Sequence, residues 1–172
     1  MNDTITVPVH LGREDFFKFS MFDAFIRRKH WRPPVLFAAI LLVSAALCLL
    51  KGGVLLTVIL SAVALGLPAV YVGSYVLSIL SQCKKAGLKS FPLVYTVTLT
   101  PKDILVTTDT EQAHFRYDKL HAVYRRGACI YLYVHPVKAF LLPAADIEGG
   151  TNVVWDFLEG RVPAEKRHDR KK

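Results

Sequence analysis

Two apolar runs dominate the pattern of this chain, PPVLFAAILLVSAALCLL from Pro33 to Leu50 and VLLTVILSAVALGLPAVYVGSYVLSILS from Val54 to Ser81, each free of charged side chains and separated by KGG. A bilayer core roughly 30 Å thick is crossed by about 20 apolar helical residues, and a helix satisfies its own backbone groups in lipid. The runs therefore predict a membrane α-helical hairpin over residues 33–83. The second run is longer than a bilayer requires and is expected to tilt or project, with a kink near Pro68. The pairs Ala62–Gly66 and Ala69–Gly73 have the spacing that permits close helix approach, to the first span or to a second copy. Homo-oligomerisation through the spans is thus an expectation.

The flanks follow other periods. Near the N-terminus Ile5, Val7 and Val9 alternate with Thr4, Thr6 and Pro8, the pattern of a half-buried strand. Pro8 has no N–H to donate, so this strand belongs at a sheet edge. Gly12 then precedes a helix with Glu14 and Asp15 in its first turn, where the helix dipole favours acidic groups. The helix is expected to run through FFKFSMFDAFIRRKHW, with Phe16, Phe19, Phe22 and Ile26 on one face and Phe17, Met21 and Phe25 over much of the other. Such a surface suits protein on one side and the headgroup region on the other. Trp31 reads as an interfacial anchor, and Pro33 and Pro34 suit the first turn of the next helix. A lone strand is unstable in water, so Ile5, Val7 and Val9 must find a sheet edge, and the only predicted sheet lies beyond residue 90.

That sheet comes from short segments at regular spacing: YTVTLT, ILVTT, QAHFRY, HAVYRR, ACIYLYV and KAFLL, with turns at Pro101–Asp103, TDTE, Gly127 and His135–Pro136. They predict an α+β domain built on a small antiparallel β sheet or open barrel. Thr151 is expected to cap the helix NVVWDFLEG, whose Val154, Trp155 and Leu158 would cover one end of the sheet. The charged segment RVPAEKRHDRKK reads as disordered. Four regions result: an N-terminal strand and juxtamembrane helix (1–32), the hairpin (33–83), a β domain (84–160) and a basic tail (161–172).

The net charge of +8 is unevenly placed. Arg27, Arg28, Lys29 and Arg32 precede the first run, Lys84, Lys85 and Lys89 follow the second, and Lys51 alone lies between them. This asymmetry predicts a multi-pass protein of the cell membrane with both termini cytoplasmic. Arg27, Arg28, Lys84, Lys85, Arg125 and Arg126 are candidate contacts for anionic lipid headgroups, which attract a nearby cation by about 1 kcal/mol. Nucleic acid is not an expected partner, because the cations are not interleaved with stacking aromatics. A cleavable signal peptide is disfavoured by the long segment before the first run and the lack of a small-x-small site after it. Leu47 before Cys48 argues against a lipoprotein, and Cys48, Cys83 and Cys129 are too scattered for a disulfide framework.

The order of strand, phenylalanine-rich helix, two-span hairpin, meandering sheet and terminal helix resembles the YcxB-like family of small bacterial membrane proteins. The likeness is carried by VHLGREDFFKFSMF, VTLTPKDILVTT, FRYDKLHAVYRRGACIYLYV and KAFLLPAADI. Family members usually place tryptophan where this chain has Tyr117, and a basic pair where it has Ala144 and Ala145. The resemblance implies a cytoplasmic domain similar to pleckstrin-homology or GRAM folds, tethered by the hairpin, and carries no activity over to this chain; the residues themselves lead to no expected metal or cofactor.

Six histidines are spread along the chain, and none has a zinc-like spacing to a cysteine. His114, His121 and Cys129 would converge only if neighbouring strands brought them together, and a cleft lined by them is the feature that would favour an enzyme with a cryptic site. Cys129 lies within ACIYLYV, where a small buried residue is the plain explanation. A transport-associated role would require oligomers, because neither span carries a charged side chain. The expected function is therefore a membrane-anchored interaction module, with no catalytic residues, whose β domain binds a protein partner or anionic lipid.

Overall fold

The computed structural model describes residues 4–85 and 93–170, and the chain divides into two compact units, Met1–Asp15 with Leu88–Lys172, and Phe16–Gly87. The expected linker GLKS lies outside the described residues. The N-terminal strand therefore belongs with the β domain although the whole hairpin separates them in sequence.

In the helical unit, α1 (Arg13–Met21) runs directly into a π-helical turn, Phe22–Arg27. The wider turn ends with the His30 amide bonded to the Ala24 carbonyl at 2.9 Å and with Lys29 at φ 55°. Phe22 and Ala24 are buried. Tyr75 holds this segment, its hydroxyl 3.4 Å from the Ser20 carbonyl and its ring edge-on to Phe25 at 5.3 Å. Helices α2 (Arg32–Leu50) and α3 (Val54–Lys85) follow, joined at Lys51–Gly53. Pro33 and Pro34 occupy the first turn of α2, where a missing N–H costs nothing. Both helices are long and apolar enough to cross a membrane. They meet through small residues, Ala38, Ala45 and Ala64 being buried, and the Thr57 hydroxyl donates to the Ala45 carbonyl across the pair at 3.1 Å. α3 continues as one helix through Pro68.

The other unit contains two four-stranded sheets where the sequence suggested one sheet or barrel. The first has the order β1 (Ile5–Leu11), β2 (Leu93–Leu99), β3 (Asp103–Thr107), β4 (Gln112–Arg116), with neighbours antiparallel. The second has the order β7 (Lys138–Pro143), β6 (Cys129–His135), β5 (Ala122–Arg126), β8 (Arg167–Arg170). β1 pairs with β2 along its length, Val7 opposite Val97 and Val9 opposite Tyr95. Pro8 sits on this outer strand, as its missing donor requires. Val7, Val9, Val97, Leu99, Ile104 and Val106 form a buried face on the first sheet, and Val123, Ile130, Leu132 and Leu142 are buried in the second. Gly127, at φ 55°, opens the two-residue turn between Arg126 and Cys129.

α4 (Thr151–Glu159) buries Val154, Trp155 and Leu158 as its apolar stripe predicts. Its N-cap is Gly150 rather than Thr151, which is already the first helical residue, and no side chain caps the turn. The segment expected to be a disordered tail is instead ordered through residue 170. Val162 is buried, residues Ala164–Lys166 form a 3₁₀ turn, and β8 pairs with β5 in parallel.

Tyr95 ties the two sheets. Its hydroxyl donates to the Leu141 carbonyl at 2.7 Å and accepts from the Leu141 amide at 2.9 Å, so one side chain satisfies both backbone groups of a β7 residue. Burial raises its phenol well above the usual range. Tyr95→Phe would keep the ring beside Phe140 but strand both groups of Leu141. It is expected to cost about 2–3 kcal/mol, read as a lower denaturant midpoint without a change in slope.

Candidate interaction surface

The six cations expected at a lipid surface have different fates. Lys84 and Lys85 are exposed at the end of α3. Arg27 and Arg28 both turn onto one carboxylate, with Nε atoms 2.6 and 2.8 Å from the Asp23 oxygens. The π-turn brings two consecutive arginines within reach of one acid, and their positive charge is partly neutralised there. Arg126 is half-buried.

Arg125 departs furthest from expectation. It is the only buried charged residue among the described residues, with 6% of its surface exposed, and so is withdrawn from any lipid-contact set. On β5 it has the parity of Val123, which is fully buried. Its guanidinium lies over the Trp155 ring at 4.6 Å and donates to Asn152 Oδ1 at 3.0 Å, both on α4. Nε donates to Asp169 Oδ1 at 3.0 Å, and a second nitrogen pairs with Asp169 Oδ2, completing a fork. Asp169 raises the guanidinium pKa above its ordinary value through these hydrogen bonds. Flanking contacts fix the same strand: the His168 ring stacks on Tyr124 at 4.6 Å, and Arg167 reaches Glu159 at 2.8 Å.

Asp169, Asn152 and Trp155 were not anticipated as partners of Arg125. The signal for Arg125 itself was present, since alternation from Val123 places it on the inward face. A charged tail gave no comparable signal for Asp169, because its order depends on a distant strand edge.

The remaining candidates do not converge. His114 is exposed on β4, its ring nitrogen 3.2 Å from Asp103. A hydrogen bond from the Thr100 hydroxyl at 2.5 Å, then that from His114, holds the Asp103 carboxyl below the usual range. His121 is exposed, while burial pushes the Cys129 thiol up to about 12 and keeps it protonated at neutral pH. No group of three potential metal ligands comes together among the described residues. Tyr117, where tryptophan was the family expectation, is buried and donates to the Thr100 carbonyl at 2.7 Å. Ala144 lies in a 3₁₀ turn whose Asp146 accepts from the His10 amide at 2.8 Å, so this corner holds β1. Ala62, Gly66, Ala69 and Gly73 are exposed on α3 and do not form the seam with α2.

Comparison with protein-family models, curated proteins and solved structures found no match to the chain.

Proposed function

We propose that this chain is a membrane-anchored interaction module of the YcxB-like kind, not an enzyme, with the hairpin across a bilayer, both termini cytoplasmic and a pleckstrin-homology or GRAM-like β domain that binds a protein partner. The observation that carries this reading is the apolar coat of α2 and α3: Leu36, Leu50, Leu55, Val70 and Leu77 are each more than 60% exposed. Contiguous apolar surface of this kind is costly in water and favourable in lipid. The cations flanking the hairpin, against Lys51 in its turn, support the orientation. Anionic headgroups are the second reading, favoured by the exposed Lys84 and Lys85.

Single cysteines at Lys51 and Glu165, in a chain lacking Cys48, Cys83 and Cys129, test the topology. In intact cells an impermeant thiol reagent is expected to label Lys51→Cys and spare Glu165→Cys until the membrane is permeabilised. Equal labelling before permeabilisation would reject the arrangement.

A further inference from the structure

Among the described strands β8 alone pairs in parallel, and its four residues, Arg167, His168, Asp169 and Arg170, include no apolar side chain. The buried anchor of this segment, Val162, lies before it, beyond the end of α4. From Pro163 onward the described contacts are polar or aromatic: Arg125 with Asp169, Tyr124 with His168, Glu159 with Arg167, and the Lys166 ammonium with the Asp118 carbonyl at 2.8 Å. Little apolar burial therefore opposes release of β8 while Val162 stays in place.

The receiving side is built into the domain. Arg125 contacts Asn152 and Trp155 on α4 as well as Asp169 on β8, and its guanidinium fork matches a carboxylate presented from the strand beside β5. Beside it runs the β5 edge, whose backbone groups pair with an extended chain. From this we infer that the β5 edge and Arg125 form a docking slot for an extended segment of a protein partner, aligned parallel to β5 and presenting a carboxylate to Arg125, and that β8 is its occupant in cis. Such strand addition takes affinity from backbone pairing and selectivity from a side-chain site. Charge complementarity specifies an acidic residue opposite Arg125, and the chain's own Asp169 shows the fit. The inference rests on reading the β domain as a binding module and adds where and what it binds.

The test uses the full chain in detergent and a labelled peptide of residues 163–170, PAEKRHDR. The peptide is expected to bind Asp169→Asn at least roughly tenfold more tightly than wild type, because weakening the cis strand raises the fraction of open slots. A peptide carrying asparagine in place of the aspartate is expected to bind that chain at least roughly tenfold more weakly than the original peptide. Amide hydrogen exchange of the wild-type chain requires no variant: β8 amides are expected to exchange faster than those of β6. No binding to a folded Asp169→Asn chain, equal binding of the two peptides, or β8 protection equal to that of β6 would overturn the slot. None of these readouts depends on lipid. A failed titration with the labelling asymmetry intact removes the slot and leaves the membrane topology standing, while symmetrical labelling with successful titration does the reverse.

Discussion

Replacing Val9 by aspartate is expected to unfold the β domain while leaving the hairpin helical. Val9 is fully buried and lies opposite Tyr95, the residue that joins the two sheets. A carboxylate placed there would lie on the buried apolar face that Val7, Val97 and Leu99 share. Burying such a charge costs several kcal/mol, comparable with the roughly 5–15 kcal/mol that holds a typical domain together. Val9→Ala removes two methyl groups and should cost only about 2 kcal/mol. Thr6→Asp is the control, because Thr6 is exposed on the opposite face of the strand. Fluorescence of Trp155 in a Trp31→Phe chain, together with near-ultraviolet circular dichroism, follows the domain specifically. A native spectrum for Val9→Asp would mean that β1 is dispensable.

The second large effect is an asymmetry between the partners at the β5–β8 edge. Asp169→Ala leaves the Arg125 guanidinium, whose side chain is 8% exposed, without its carboxylate. This should cost about 2–4 kcal/mol. Arg125→Met leaves behind an Asp169 side chain that is 31% exposed and able to turn to water, so the loss should be smaller despite the forfeited contacts to Trp155 and Asn152. Combining Arg125→Met with Asp169→Leu is expected to recover part of the Asp169→Ala loss, because no charge then remains buried. Chemical denaturation of the four chains measures the order. A larger loss for Arg125→Met than for Asp169→Ala would show that stacking on Trp155, not the ion pair, stabilises this edge.

The elements were legible wherever a side chain's environment follows from its own neighbours. Tyr95, Val97 and Leu99 alternate with threonines, and each is buried. Val154, Trp155 and Leu158 lie on one helical stripe and are buried together. The π-turn at Phe22–Arg27 was not legible, because one added residue per turn barely disturbs an apolar pattern that already covers most of the helix. The division of the strands into two sheets escaped for a related reason. Period-two alternation assigns a face to each residue but does not say which strand lies beside which.

Among the candidate lipid contacts, composition gave charge and position but not pairing. Arg27 and Arg28 are adjacent to a carboxylate four and five residues back, yet only the wider helical turn brings both onto Asp23. Arg125 and Arg126 look equivalent as a dipeptide, whereas the strand turns the first inward.

By itself the sequence determined two long apolar helices, the strands that follow them, the edge position of β1 and the amphipathic helix α4, because each rests on local periodicity and on what glycine and proline permit. Only the tertiary structure decided the register of β1 on β2, the separation into two sheets, the inward pairing of Arg125 and the order of residues 161–170. Those features depend on contacts between distant parts of the chain. A charged segment such as RHDR is solvated when alone and becomes a strand when an unpaired edge and a buried guanidinium are waiting for it.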